Sequence, residues 1–280
     1  MSNRIVAGVE PTSAGTRVIA WSAQRARERE LPLLLASVIG GPIGVVGEGE
    51  LLAETSQQVR DWLEGEAEKL RADGLSVETI LLQGDPVAQL TQTAAGENML
   101  VIGSDYRGPE SGPVRGIRGI RIVAASAIPV VVIPDHDLDD RNGVIVGVDG
   151  SPVSSAAIAF AAAEADRLRE PLIAVSVWTP LTARPRNSLV YPDDYMQALE
   201  RTAEETLALS LAGLRQDYPD LEIQTRALPG YPSAVINELA ATATLAVVGS
   251  HGRGAIARFL LGSISHEVLT RLSTATAVVR

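Results

Sequence analysis

Two glycine-containing loops near the C-terminal end of the chain hold the residues best suited to binding an anion. They are Gly249-Ser250-His251-Gly252-Arg253-Gly254, which follows an apolar run directly, and Gly262-Ser263-Ile264-Ser265. Glycine lets backbone N–H groups approach a ligand closely, and serine adds a hydroxyl donor. A turn of this kind between a strand and a helix N-terminus is well suited to hold phosphate. The sequence therefore predicts that the C-terminal half binds a phosphate-bearing ligand.

The composition limits the class of protein. Apolar residues make up 46% of the chain but aromatic residues only 4%, which is typical of a parallel sheet covered by helices. The net charge of −10 argues against a nucleic-acid partner and against anionic membrane surfaces. The absence of cysteine excludes disulfides and thiolate chemistry. No signal-like segment or span-length apolar run is present, so we expect a cytoplasmic protein with no membrane partner.

The chain contains two copies of one pattern. Four segments recur in the same order, two at an offset of 139 residues, as from Gly8 to Gly147, and two at 146, as from Gly103 to Gly249. They are residues 4–11 and 143–150, 32–35 and 171–174, 84–86 and 230–232, and 101–104 and 247–250. The change of seven residues places an insertion in the second copy. Residues 179–194 are the candidate, because three prolines there interrupt any periodic pattern.

Repeats of this length are domains rather than solenoid units. We predict an N-terminal domain at residues 1–134, an acidic linker at 135–142 and a C-terminal domain at 143–280. In the second copy the predicted strands are 144–148, 172–177, 223–228, 245–248 and 275–279, and the predicted helices are 152–169, 195–215, 232–241 and 263–272. This alternation predicts an α/β fold with two tandem doubly wound, parallel, five-stranded sheets. Ligands of such sheets bind beyond the carboxyl ends of the strands.

The spacing G-x2-G-x9-G-S, from Gly249 to Ser263, resembles the nucleotide-binding signature of the universal stress protein family. Neither the Rossmann glycine pattern nor a Walker A Gly-Lys-Ser/Thr is present. Two further segments, Val148-Asp149-Gly150-Ser151 and Gly230-x-Pro232, resemble the same family. The resemblance covers essentially the whole chain as two tandem copies. It implies an adenine nucleotide alpha hydrolase-like fold and ATP, with or without Mg²⁺, as the ligand.

The resemblance also implies which residues hold the nucleotide. Asp149 takes the place of an acidic side chain that contacts the adenosine portion, and Gly249 and Gly252 pass under ribose and phosphates. The segment 262–265 wraps the phosphate chain, with hydroxyls from its two serines and backbone N–H groups from the helix that follows. The full set is Val148, Asp149, Val175, Gly249, Gly252, Arg253, Gly262, Ser263, Ile264 and Ser265. Arg253 is placed to reach an outer phosphate.

Other interpretations of these residues stay open. Asp149 is also suited to cap the helix that follows it, beside the predicted cap and first-turn pair Ser151-Pro152. The segment 249–254 is also compatible with a simple loop. His251 has no partner evident in the sequence, so we expect it to face solvent.

The N-terminal copy departs from the motif. Tyr106 stands where the second copy has its second glycine, Ile117 replaces the serine at 263, and Glu10-Pro11 replaces Asp149-Gly150. Pro11 also removes a backbone N–H donor. We therefore expect this copy to keep the fold and to bind ATP weakly or not at all. Its expected role is to pack against the other copy as an intrachain pseudo-dimer, through the edge strands 130–133 and 275–279.

No catalytic constellation can be named from the sequence. The acidic carboxylates of the linker could ligate a metal, but a run of solvated charge is the preferred interpretation, so no metal site is predicted. The expected function, which the resemblance implies, is ATP binding by a stress-response or regulatory protein, with an unidentified regulatory protein partner and a homodimer as a further option. Three alternatives stay open: a slow ATP hydrolase, a phosphoryl- or nucleotidyl-transferring enzyme, and a scaffold that binds no nucleotide. An enzyme would need substrate recognition beyond the nucleotide, and only the insertion 179–194 could supply it.

Overall fold

The computed structural model describes residues 3–40, 48–104, 118–138, 140–180, 192–252 and 261–280. The chain divides into two compact units, Met1–His136 and Asp137–Arg280. Each unit alternates strands and helices, and every strand ladder within a unit is parallel. The predicted α/β class with a parallel sheet in each copy is confirmed.

The described elements of the first unit are β1 (Ile5–Gly8), α1 (Ser13–Arg29), β2 (Leu33–Ile39), α2 (Glu48–Ala72), β3 (Val77–Gln83), α3 (Pro86–Thr93), β4 (Met99–Gly103), α4 (Arg118–Ala125) and β5 (Val130–Ile133). Its strands lie in the order β3-β2-β1-β4-β5. Strands β1, β4 and β5 are short apolar runs that are buried except at the glycines that end β1 and β4, as expected for strands with helices on both faces.

The described elements of the second unit are β6 (Val144–Gly147), α5 (Pro152–Leu168), β7 (Leu172–Trp178), α6 (Asp193–Ser210), α7 (Leu214–Asp217), β8 (Ile223–Pro229), α8 (Pro232–Ala240), β9 (Leu245–Gly249), α9 (Ser263–Thr270) and β10 (Ala275–Val279). Its strands lie in the order β8-β7-β6-β9-β10, the same arrangement as in the first unit. The two copies therefore share one topology.

Strand positions follow the offsets read from the sequence. β1 and β2 begin 139 residues before β6 and β7, whereas β3 and β4 begin 146 residues before β8 and β9. The seven extra residues of the second copy thus fall between β7 and β8. The candidate insertion 179–194 lies in that interval, and its residues 181–191 lie outside the described ranges.

One predicted helix is wrong in extent. The expected helix 195–215 ends at Ser210 and is followed by the short helix α7. Gly213 lies between them with φ of +87°, a left-handed conformation that glycine adopts without a steric penalty. The apolar periodicity continues across this break, so the pattern alone did not reveal it.

In the described part of the chain, no helix is both long enough and apolar enough to cross a membrane.

Candidate functional site

A cavity of about 610 Å³ opens at the carboxyl ends of the central strands of the second unit. There β6 lies between β7 and β9, so the chain leaves β6 toward one side of the sheet and later returns to the other. This is the topological switch point, where parallel sheets leave a crevice for ligands. Nine of the ten predicted site residues line the cavity: Val148, Asp149, Val175, Gly249, Gly252, Gly262, Ser263, Ile264 and Ser265. The tenth, Arg253, lies outside the described residues.

Further lining residues were absent from the predicted set, and most of them form an apolar wall. They are Gly147, Ser154, Val177, Pro232, Ile236, Val248 and His251. Val177 follows Val175 by two positions on β7, so strand alternation places both on one face. Ile236 lies one helical turn after Pro232 on α8. Strand spacing from Val175 and helix spacing from Pro232 would therefore have predicted Val177 and Ile236 from the sequence.

The acidic side chain at the end of β6 closes a turn and does not cap the helix. The Ser151 N–H donates to Asp149 Oδ1 at 2.9 Å, while Ser151 Oγ accepts from the Ser154 N–H at 3.1 Å. Ser151 is therefore the N-cap of α5, with Pro152 in its first turn, as predicted. The alternative in which Asp149 caps α5 is wrong.

Asp149 also lies against the first glycine loop. A Cβ atom added to Gly252 would lie 2.7 Å from Asp149 Oδ2, far inside van der Waals contact. Any side chain at position 252 would therefore push the carboxylate away from the place it now occupies. The glycine and the acid belong to one local arrangement, although they are separated by more than a hundred residues of sequence.

The two glycine loops are tied together through their backbones. Gly262 N–H donates to the Ser250 carbonyl at 2.7 Å, and Ser250 N–H donates to the Val279 carbonyl at 2.7 Å. A Cβ on Gly262 would lie 3.2 Å from the Ser250 oxygen, and a Cβ on Gly249 would lie 2.9 Å from Val153 Cγ1. These glycines permit close approach of backbone to neighbouring atoms.

Helix α9 presents its N-terminus to the cavity without a side-chain cap. Its N-cap is Gly262, which supplies no side-chain hydrogen bond, and its first turn holds no acidic residue. The N–H groups of Ser263, Ile264 and Ser265 are the orphan donors of that first turn, and all three residues line the cavity. An anion placed there would accept from these amides and would interact favourably with the helix dipole.

The two serines of α9 contribute differently. Ser263 is exposed, so its hydroxyl remains available to a ligand. Ser265 is buried, and its Oγ donates to the Gly249 carbonyl at 2.5 Å. The expected hydroxyl donation by Ser265 is thus not what the structure shows, because that proton holds α9 to the end of β9. Ser265 still offers its backbone N–H.

The expectation that His251 faces solvent is wrong. The residue is partly buried and lines the cavity, and its Nδ1 lies 2.9 Å from Ser250 Oγ. Within the described residues its buried Nε2 has no hydrogen-bond partner. Burial, and secondly the positive charge of Arg280, lower the pKa of His251 below its ordinary value of 6.5.

We expect His251 to titrate below pH 6.5, because burial and Arg280 both disfavour the imidazolium. Since the folded state binds this proton less well than the unfolded chain, the group favours folding above the unfolded pKa. That contribution falls as the pH drops through the unfolded value toward the folded one. An NMR titration of the imidazole resonances measures the midpoint. Replacing Arg280 with Gln should raise it, and a wild-type midpoint at or above 6.5 would contradict the prediction.

Among the residues that the structure describes, no group of three or more acidic or histidine side chains could hold a metal ion.

Comparison with known proteins settles the family. The sequence profile of the universal stress protein family matches residues 1–134 and again residues 141–280. The chain belongs to the universal stress protein family. A universal stress protein of Mycobacterium tuberculosis is 31% identical over 293 residues, covering 99% of this chain and 96% of that protein.

A solved structure of the family agrees on the fold. A universal stress protein from Archaeoglobus fulgidus superposes with a TM-score of 0.70 at 17% identity, covering 100% of this chain and 97% of its own. A universal stress protein solved in complex with cAMP is 28% identical over 51% of this chain and 99% of its own, with a TM-score of 0.34. The cyclic nucleotide is a property of that protein.

The first copy of this universal stress protein places a different pair at the matching strand end. Glu10, which corresponds to Asp149, accepts from Arg118 Nη1 at 3.1 Å. Arg118 opens α4, the helix that corresponds to α9. Glu10 is thus paired within the unit by a cation on the helix that corresponds to α9, and both side chains are largely exposed. Tyr106 and Ile117, on which the expected loss of binding also depends, lie outside the described residues.

Proposed function

We propose that the C-terminal unit binds ATP in the cavity beside α9, and that the chain is a stress-response regulatory protein. One observation carries the proposal: nine residues chosen from the sequence, drawn from β6, β7 and the two glycine loops, line a single cavity. Residues chosen from sequence motifs alone could have been scattered over the surface of the unit. The volume of about 610 Å³ lies within the range of roughly 300–1,000 Å³ that small-molecule sites occupy.

The chemistry of the cavity differs along its length. Val175, Val177 and Ile236 give an apolar wall suited to the faces of adenine. The carboxylate of Asp149 is an acceptor for ribose hydroxyls or the adenine amino group. The uncapped first turn of α9 is a donor set for phosphate oxygens. Together these features match the three parts of an adenine nucleotide.

Backbone donors also explain how an acidic chain holds a polyanion. The net charge of −10 repels phosphate at long range, but amide donors at a helix end act at contact distance. We propose that Arg253 adds a charge-assisted contact to an outer phosphate. Because the described residues form no acidic or histidine cluster for a metal, Mg²⁺ would be held mainly by phosphate oxygens.

Binding rather than rapid catalysis is proposed for this site. His251 is the one histidine among the lining residues, and its lowered pKa leaves the imidazole uncharged at neutral pH. Among the residues that the structure describes, the ring of His251 contacts Ser250 Oγ and no carboxylate orients it. Nucleotide occupancy would then act through shape, by favouring one conformation or one protein partner.

For the assembly, we propose that residues 135–142 link two domains that form an intrachain pseudo-dimer. Its support is the tandem match of the family profile to residues 1–134 and 141–280. A homodimer of the whole chain and a regulatory protein partner remain proposals of the same kind, as does a cytoplasmic location.

We expect one ATP to bind per chain, because the first copy has Glu10-Pro11, Tyr106 and Ile117 where the second copy has its motif residues. Isothermal titration of the full chain with ATP, with and without Mg²⁺, measures the stoichiometry. As a control, replacing Arg118 with Ala in the first unit should leave the measured affinity and stoichiometry unchanged. No binding would overturn the proposal, and two equivalent sites would overturn the assignment to the second unit. Phosphate release followed over hours separates a binding protein from a hydrolase.

A further inference from the structure

The hydroxyls of Tyr231, the N-cap of α8, and of Ser233, in its first turn, both donate to the carboxylate of Glu267 on α9, beside the cavity. Tyr231 OH donates to Glu267 Oε1 at 3.1 Å, and Ser233 Oγ donates to Glu267 Oε2 at 2.7 Å. Both carboxylate oxygens are therefore engaged by the neighbouring helix. We call Tyr231, Ser233 and Glu267 the hydroxyl–carboxylate clamp. The bond to Glu267 raises the pKa of Tyr231, which keeps its hydroxyl a donor.

The position of the clamp on α9 relates it to the phosphate end of the cavity. Glu267 follows Ile264 by three residues and Ser263 by four, so the three share one face of the helix. Ile264 and Ser263 line the cavity together with Pro232 and Ile236 of α8. Holding Glu267 against α8 therefore restrains rotation of α9 about its own axis, in addition to the bond from Ser265 Oγ to the Gly249 carbonyl, and with it the position of the first-turn amides.

The first copy shows that the clamp is not needed to build the fold. At an offset of 146 residues its corresponding positions are Asp85, Val87 and Arg121. Helices α3 and α4 pack against each other as α8 and α9 do. Valine has no hydroxyl to donate, and arginine cannot accept a hydrogen bond. Asp85 instead caps its own helix, accepting from the Ala88 N–H at 3.1 Å.

The clamp thus occurs in the copy that keeps the glycine motif and is replaced in the copy that has lost it. A carboxylate near a phosphate site would repel the ligand if electrostatics alone mattered. Both oxygens of Glu267 accept hydrogen bonds from Tyr231 and Ser233, which indicates that this carboxylate has a structural role. We propose that Glu267 is a positioning residue, which through Tyr231 and Ser233 aims the α9 amides at the phosphates of the nucleotide. This inference rests on the proposed function of the same site.

The test is the double variant Tyr231→Phe/Ser233→Ala, which removes both hydroxyls and keeps the ring and the backbone. We expect affinity for ATP and AMP to fall about five- to tenfold, because slightly misaligned amide donors form weaker hydrogen bonds to the phosphate oxygens. Adenosine, which has no phosphate, should keep its affinity within about twofold by the same argument. Titration calorimetry with the three ligands measures the difference. Tyr218→Phe removes a partly buried phenol elsewhere in the unit and is the matched control.

A second measurement does not depend on nucleotide. In the ligand-free protein, the amide resonances of residues 263–265 should shift in the double variant and stay in place in Tyr218→Phe. If the wild type binds no nucleotide, the proposed function fails, and these resonances still decide whether the clamp positions the helix. Equal losses for adenosine and ATP, no loss for either, or unmoved amides would overturn the inference. Should the double variant fold poorly, Tyr231→Phe alone answers the question, since that side chain is half exposed.

Discussion

Replacing Gly262 with Asp should nearly abolish ATP binding while leaving the fold intact. Gly262 has φ of −61° and ψ of 151°, an ordinary extended conformation that any residue adopts. Aspartate is among the preferred residues at a helix N-cap, so its carboxylate would accept from the first-turn amides of α9. Those amides are the donors that we assign to phosphate. The new side chain would therefore occupy the phosphate position and bring a like charge to it.

The expected loss in ATP affinity is about a hundredfold, or about 2.7 kcal/mol, since a charge-assisted contact is replaced by a repulsive one. The loss should decrease from ATP to AMP and be smallest for adenosine. The melting temperature without ligand should stay close to that of the wild type. A Cβ at 262 would lie 3.2 Å from the Ser250 carbonyl oxygen, which requires only a small shift of that group. Calorimetric titration and a melting curve give both quantities.

Gly262→Asn is the matched control for this variant. Asparagine has nearly the same shape and also caps helices, but it carries no charge. It should cost ATP clearly less affinity than aspartate does, so the difference between the two variants isolates electrostatic repulsion from occupation of the amides. If ATP binds the aspartate variant as tightly as the wild type, the phosphates do not lie at the N-terminus of α9.

The glycine loops and Asp149 could be predicted from sequence because their chemistry is local. At Gly249 and Gly252 an added Cβ would lie 2.9 Å from Val153 Cγ1 and 2.7 Å from Asp149 Oδ2, and the need for glycine at both positions can be read from the sequence. Asp149 lies two residues after the end of β6, and parallel strands end at a common edge. The fold was predictable for a similar reason, since the short apolar strands and intervening helices recur in both copies.

What the sequence did not reveal depends on partners brought together by folding. Ser265 looked like a phosphate donor, yet its hydroxyl is directed to the Gly249 carbonyl, sixteen residues away. His251 looked like an exposed loop residue, but the packing of its loop buries one ring nitrogen. Val177 and Ile236 resemble ordinary core residues by type, and only their spacing from Val175 and Pro232 indicates that they border the cavity.

Removing the carboxylate of Asp149 should weaken the binding of ATP, AMP and adenosine equally, in contrast to Gly262→Asp. In Asp149→Ala the acceptor that we assign to ribose or the adenine amino group is lost, and so is the acceptor for the Ser151 N–H. We expect affinities for ATP, AMP and adenosine to fall together, each by about ten- to thirtyfold, the value of a lost hydrogen bond to a charged group. Gly262→Asp should instead discriminate by phosphate number.

Asp149→Asn distinguishes direct contact from support of the turn. The amide oxygen can still accept from the Ser151 N–H, so the turn that precedes α5 is kept while the charge is removed. If adenosine binds the Asn variant as poorly as the Ala variant, the carboxylate itself contacts the nucleoside. If Asn restores wild-type affinity, the loss in Ala came from the turn. Unchanged adenosine affinity in Asp149→Ala would remove Asp149 from the site, because neither the contact nor the turn would then matter to the nucleoside.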